Sequence, residues 1–472
     1  MIDDAFKAKV DAYVDEVWED AVEDIRSLVK IDSVEDLAAA EPGKPWGPAA
    51  FEALEEGLRI AARIGLDAHN CEGYIGYADL PGESEKQIAT IAHTDIVPTG
   101  LGWTVPALDV TRRDGYLLGR GVLDDKGPFV LSLYTAKFFV DEVARTGKKL
   151  PYTLRCIVGN NEETMMADVD WYLKHFEAPA FCFTPDAEFP LICGEKGILH
   201  GHFTSGAIAN GAIVELDGGT VANAIPGLAT ATVQADLTAL PEADAIELEA
   251  AGEGLVRISA HGKGGHASLP EGTINAIGLL VHYLLDNVEL SEDEVVFLSL
   301  MELACTVSDG SKLGIACADE MFGPLTCIGG TIRTLGDGRF VQTIDCRFPT
   351  AITGDAIVAT CAALAERNGA SFELDVVKEP FYIEPTSPEI RALLSTYNEY
   401  TGRDAEAFTI GGGTYARKFP RACAFGPHDA TCPEPAWVGM EHGPDEGVSE
   451  EVLRRALKIY IVSVARLMEC AL

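Results

Sequence analysis

Apolar residues recur at three- and four-residue intervals over residues 4–31, at Val10, Val14, Val17, Ala21 and Ile25. That is the spacing of one helix face. Residues 48–64 repeat the pattern and stop near Gly65, a helix terminator. Short apolar runs follow: QIATIAH at 87–93, YTLRCIVG at 152–159 and AFCFTPD at 180–186. Each has the length of a strand, and helical stretches lie between them at 127–144 and 166–176. The alternation predicts an α/β fold with a twisted, largely parallel sheet flanked by helices.

After Gly197 the texture changes. Strand-like segments at 198–205, 212–217, 229–238 and 254–261 run with few helices between them. A helix is predicted at 273–287 and a mixed region to about 323. A hairpin pairs 325–334 with 339–348 across GDG, then a helix (354–368) and a strand (371–378) follow. From 388 the helical pattern returns, and the last helix spans 449–469 with Ser449 as N-cap and Glu450 and Glu451 in its first turn. The expected organisation is a discontinuous domain, 1–196 with 384–472, interrupted by an inserted α+β domain, 197–383.

The polar residues at the strand ends change the picture. His93 closes the first run, with Asp95 two residues on; Glu162 and Glu163 follow the second; Asp186 closes the third. Ligands in open α/β sheets bind beyond the carboxyl ends of strands. Asp124 and Asp125 stand in GRGVLDDKG, and His442 in MEHGPDEG. Convergence of these groups on two divalent metal ions is the hypothesis they raise. Each also has a plainer reading: Asp124 and Asp125 as a helix cap, Glu162 and Glu163 as a solvated turn, Asp186 as a turn former, His442 as a loop histidine. In the second domain, His266 stands before a helix, and Arg347 alternates with Asp345 on a strand, as a simple ion pair would. Gly411, Gly412 and Gly413 read as a flexible turn, or as backbone that admits a substrate carboxylate. His200 and His202 read as surface or packing residues.

Charge and cysteine content narrow the class. The net charge of −38 over 472 residues disfavours nucleic acid or anionic membrane as partner. No apolar run reaches the length of a membrane span, and the acidic N-terminal segment lacks the basic start of a secretory leader. Twelve scattered cysteines without a CxxC pair read as free thiols in a cytoplasmic protein, which leaves oxygen and nitrogen ligands for any metal. Such a set suits zinc, and also manganese or cobalt.

Taken together, HTDIVP, GRGVLDDKGP, EET, TPDAEFPLICGEKG, NAIP, GHASLPEGTINA, IGGGTYAR and the late MEH resemble one family. It is the dinuclear zinc peptidases that include glutamate carboxypeptidase, succinyl-diaminopimelate desuccinylase, acetylornithine deacetylase and carnosinase. Within it, TPDAEFP…GEKG and IGGGTYAR look most like the bacterial PepV-type dipeptidases. The resemblance implies one metal on His93 and Asp186, a second on Glu163 and His442, and Asp124 bridging them. It implies Glu162 as general base, Asp95 as support for His93, and His266 as a partner of the oxyanion. It gives substrate contacts to Asn223, Arg347, Gly412 and Gly413, and makes the inserted domain a lid. NNEET departs from the family pattern ahead of the glutamate pair. The expected activity is hydrolysis of dipeptides by a monomer that completes its own site. The alternatives are an N-acyl-amino-acid deacylase or metallocarboxypeptidase on the same site, and a non-catalytic binding protein on the same scaffold.

Overall fold

A computed structural model describes residues 2–472. The chain forms two compact units, one of residues 1–194, 382–408 and 413–472, the other of residues 195–381 and 409–412.

The first unit is built on a mixed sheet. Its centre is four parallel strands in the order Tyr152–Gly159, Ser84–His93, Phe181–Thr184, Ala422–Ala424. Antiparallel strands flank them: Asp67–Cys71 and Ile75–Leu80 on one side, Ile192–Glu195 on the other. The parallel centre matches the near-continuous apolar runs, because strands covered on both faces need no polar alternation. The edge strand Asp67–Cys71 is mostly exposed and carries Asp67, His69 and Asn70, so hydrophobic periodicity does not reveal it.

Helix Asp4–Val29 begins on Asp3, whose carboxylate accepts the Phe6 amide at 2.9 Å. Its stripe of Val10, Val14, Val17, Ala21, Ile25 and Leu28 is fully or almost fully buried. It packs on helices Lys126–Thr146 and Glu450–Leu467. The first half of Lys126–Thr146 is buried all round, which fixes the turn that precedes it. Ser449 occupies the N-cap position of the last helix, but its hydroxyl makes no capping bond; the Glu450 carboxylate instead accepts from the Trp18 indole at 2.8 Å.

The second unit is an eight-stranded antiparallel sheet, in the order Ile246–Gly252, Leu255–His261, Leu228–Gln234, Ile213–Gly218, Thr326–Thr334, Phe340–Phe348, Gly197–Thr204, Ser371–Lys378. Helices Ala276–Asn287, Glu292–Cys305 and Gly354–Arg367 pack against it around one apolar core. Two elements depart from expectation. Helix Ala276–Asn287 starts later than residue 273, because Asn275 caps it by accepting the Ile277 amide at 2.9 Å. Glu292–Cys305 is a helix where a mixed region was expected. A capping box of Ser291 and Glu294 nucleates it, and the buried Glu294 carboxylate also accepts the amides of Ala212 and Ile213.

Candidate metal centre

Three of the loops in question leave the carboxyl ends of neighbouring parallel strands. His93 is the last residue of Ser84–His93 and pairs in register with Gly159. Glu162 and Glu163 lie in the turn after Tyr152–Gly159, and Asp186 in the turn after Phe181–Thr184. Asp124 ends the loop before helix Lys126–Thr146, and His442 comes from the loop before Gly447–Ser449.

These five segments bring their side chains together. His93 Nε2 lies 3.1 Å from Asp124 Oδ1 and 3.4 Å from Asp186 Oδ2. His442 Nε2 lies 3.0 Å from Asp124 Oδ2 and 3.1 Å from Glu163 Oε2. The two oxygens of Asp124 thus face different histidines, and each histidine has a second carboxylate beside it. Ligand atoms of His93, Asp124 and Glu163 all fall within 4.8 Å of one another, as do those of His93, Asp125 and Asp186.

Local structure explains these placements. Asp125 stands at the N-cap of helix Lys126–Thr146 but makes no side-chain cap bond; its Oδ2 accepts the His93 amide at 2.9 Å. Asp95 sits beside His93, its carbonyl oxygen, 3.1 Å from His93 Nδ1, being nearer than its carboxylate at 3.4 Å. The same carboxylate accepts the Glu163 amide at 3.0 Å. Asp95 therefore ties the histidine strand to the glutamate turn.

The electrostatics are those of a crowded acidic cluster. Burial opposes charge on His93, yet the facing carboxylates of Asp124, Asp186 and Asp95 hold its imidazole well above the usual value. Asp124 and Glu163 push His442 up to about 11. Burial works against an ionised Asp124 too, but the two imidazoles keep its carboxyl below the ordinary range. Burial drives Glu162 well above the ordinary range; His93 opposes this and the neighbouring acids Asp186, Glu163 and Asp124 reinforce it. Burial, with Asp124 next, also raises Glu163 and Asp186.

The residues fit divalent cations on their own chemistry. His93 Nε2 is buried with no hydrogen bond although two carboxylates face it, and buried oxygens of Asp95 and Asp125 also lack partners. Buried acids in excess of cationic partners are costly unless a cation neutralises them. Neither candidate group among the described residues contains a cysteine, and burial pushes the Cys156 thiol up to about 12.

The residues singled out in the second unit are arranged as follows. His266 lies in a two-residue strand opposite Ala224, next to Asn223, and its Nδ1 is 2.6 Å from the Ser268 hydroxyl. Arg347 is buried and forked onto Asp345, with Nε–Oδ1 at 2.7 Å and Nη2–Oδ2 at 2.8 Å; its Nη1 donates to the Gly411 carbonyl at 2.9 Å. His200 is no bystander, since its Nε2 lies 2.8 Å from the same Asp345, and His202 faces Asp375 at 3.0 Å. Both acids come from neighbouring strands, which sequence proximity cannot reveal. Gly412 follows the strand Phe408–Ile410, and Gly413 after it belongs to the first unit.

Sequence reading also missed supporting residues. Asp168 Oδ2 accepts the amides of Asn160 (2.9 Å) and Asn161 (3.2 Å) and the Tyr415 hydroxyl, beneath the turn that carries Glu162 and Glu163. Gly159 is required here, because a Cβ would strike both the Tyr415 hydroxyl and the Asp168 carboxylate. The signal was present as a tyrosine in IGGGTYAR and an acid at a helix start, but neither has a distinctive spacing.

Comparison with known proteins places the chain in a family. The model of peptidase family M20/M25/M40 matches residues 89–466. The chain belongs to that peptidase family. Among curated relatives of this M20 peptidase, the putative dipeptidase YtjP of Bacillus subtilis is 30% identical over 95% of this chain and 97% of its own length. The Beta-Ala-Xaa dipeptidase of Lactobacillus delbrueckii subsp. lactis is 29% identical over 96% and 97%. Among solved structures, human carnosine dipeptidase 1 matches with a TM-score of 0.60 at 13% identity, over 98% of this chain and 99% of that one, a likeness of fold. The M20 peptidase is accordingly a hydrolase of the metallopeptidase class. Among the described residues, no helix is long and apolar enough to cross a membrane.

Proposed function

We propose that this M20 peptidase hydrolyses dipeptides at a two-metal centre. The observation that carries the reading is Asp124, whose two oxygens face His93 at 3.1 Å and His442 at 3.0 Å. One metal would be held by His93 and Asp186, the other by Glu163 and His442, with Asp124 shared. Zinc is the expected metal, with manganese or cobalt as substitutes. Bound there, the cations would polarise the scissile carbonyl and lower the pKa of water.

The chain's own groups do the rest. Glu162 is not engaged as a ligand in this assignment and stands in the turn next to Glu163, which suits a group that takes a proton and returns it. It would accept the proton of the attacking water and deliver it to the leaving amine. Asp95 holds His93 and the Glu163 turn in register. Gly413, of the first unit, is assigned to the substrate; in the second unit, His266 is assigned to the oxyanion, and Asn223, Arg347 and Gly412 to the substrate too. Because Arg347 is already forked onto Asp345, a substrate carboxylate would share it rather than capture it whole. A lid role for that unit, a monomer, and a cytoplasmic location complete the proposal.

The names of the dipeptidase relatives support dipeptides as the substrate class, including β-alanyl ones. The test is hydrolysis of Ala-Xaa and β-Ala-Xaa against N-acetyl-Xaa. Activity confined to the acetylated compounds would replace the dipeptidase reading with a deacylase, and longer peptides cut from the carboxyl end would replace it with a carboxypeptidase. A protein that hydrolyses none of them with metals loaded would return the reading to a binding role.

A further inference from the structure

The two histidines of the centre are held in different ways. The His93 side chain is completely buried and locked by its neighbours, whereas the His442 side chain is 54% exposed. Packing therefore cannot fix the His442 ring; its position depends on its backbone. That backbone is itself unusual, with His442 at φ +62° and Asp445 at φ +54°, the left-handed region that non-glycine residues seldom occupy without support.

The support comes from a buried ion pair outside the proposed ligand set. Arg120 and Glu446 are 1% and 0% exposed and pair with each other through Nη1 and Oε2. Glu446 Oε1 accepts three amides of one loop, Gly121 at 2.9 Å, Leu123 at 3.1 Å and Asp124 at 3.2 Å. Arg120 Nη2 donates to the His442 carbonyl at 3.0 Å. The Asp445 carboxylate pins the other side of the loop, accepting the Thr104 amide at 2.7 Å and hydroxyl at 2.8 Å. One buried pair thus grips the backbone of Asp124 and the backbone of His442, more than three hundred residues apart. A buried ion pair adds little stability over an apolar replacement, so its worth lies in what it orients.

We infer that Arg120 and Glu446 are positioning residues that set the metal affinity of the His442 half of the centre by locking the Asp124 turn to the His442 loop. The inference rests on the two-metal reading above. Outer partners of metal ligands govern affinity because they fix ligand orientation before the ion arrives. The His93 half shares Asp124 with the pair, but burial fixes its histidine, so it depends on the pair less than the His442 half does.

The test is titration of cobalt(II) into metal-free full-length protein, followed by its visible absorption and by chelator competition. Wild type, Arg120→Lys and Glu446→Gln are compared. Lysine keeps a charge opposite Glu446 but loses the fork that reaches the His442 carbonyl; glutamine keeps an acceptor for the loop amides but loses the charge. The expected result is two sites in wild type, and in each variant one site weakened about 10- to 100-fold with the other weakened markedly less. At saturating metal the variants should recover kcat with an unaltered KM, which a general loss of structure would not allow. Should Glu446→Gln fail to fold, Arg120→Lys decides alone. Affinities at both sites within about twofold of wild type in a folded variant, or equal weakening of both sites, would overturn the positioning role. A wild-type protein that takes up no cobalt would overturn the two-metal reading itself.

Discussion

Removing the Asp168 carboxylate tests how the glutamate turn is held. Asp168 is fully buried, and its Oδ2 is the acceptor for the amides of Asn160 and Asn161 and for the Tyr415 hydroxyl. Asp168→Ala leaves three buried donors without that acceptor. Each such donor costs about 1–3 kcal/mol, and water entering the vacated space offsets part of the sum, so a loss of roughly 3–5 kcal/mol is expected. That is a large share of the roughly 5–15 kcal/mol typical of a folded domain. All five tryptophans (Trp18, Trp46, Trp103, Trp171 and Trp437) lie in the first unit, so tryptophan fluorescence in a urea titration follows that unit alone. The same loss should slacken the turn and lower kcat about 10- to 100-fold, as loss of a ligand's support does.

The pH dependence gives a second reading of the same residue. Burial pushes the Asp168 carboxyl up from 3.8 to about 6. The folded protein then binds more protons than the unfolded chain between about pH 4 and 6. Its stability should fall as pH rises through that window, by about 3 kcal/mol from this group. Asp168→Asn should remove that component. A midpoint for Asp168→Ala displaced by less than about 0.5 kcal/mol, the range of an ordinary surface change, would refute the reasoning about the turn.

Other outcomes follow from the same geometry. Glu162→Gln should cut kcat by about 10²–10⁴ while leaving metal content unchanged, measured by steady-state kinetics beside elemental analysis; unchanged turnover would remove Glu162 as the base. In metal-free protein, the His442 pKa near 11 against an unfolded value of 6.5 means that its stabilisation is complete below about pH 6.5 and is lost as pH rises toward 11. Thermal melts of metal-free protein against pH should show this decline, and His442→Gln should flatten it. Because a metal must displace that proton, cobalt affinity should rise with pH across the same range, and a pH-independent affinity would count against His442 as a ligand.

Much of the fold could be read from residue order alone, for a physical reason. Strands Tyr152–Gly159 and Ser84–His93 are buried on both faces, so their apolar runs are unmistakable, and the acids and the histidine at their ends stand out against them. The edge strand Asp67–Cys71 and the exposed strand Ile246–Gly252 carry polar residues on open faces and leave no such trace. Helix Glu292–Cys305 was hidden by its acidic first turn, though its capping box was there to be seen. The candidate ligands were legible because each lies beside glycine or a strand end. Their supports were not: Glu446 meets Asp124, Asp168 meets Tyr415, and His200 meets Asp345 only after distant segments come together. Arg347 shows the same limit, since its alternation with Asp345 was visible but the bidentate contact that occupies its fork was not.

The central claim is that Asp124 is shared between two cations. Metal content per chain, measured by mass spectrometry on protein purified without chelator, tests it most directly when wild type and Asp124→Ala are compared. The account predicts two equivalents in the wild type and loss of both in the variant, since each half of the centre depends on one oxygen of that carboxylate. Two equivalents retained by a folded Asp124→Ala protein would contradict it.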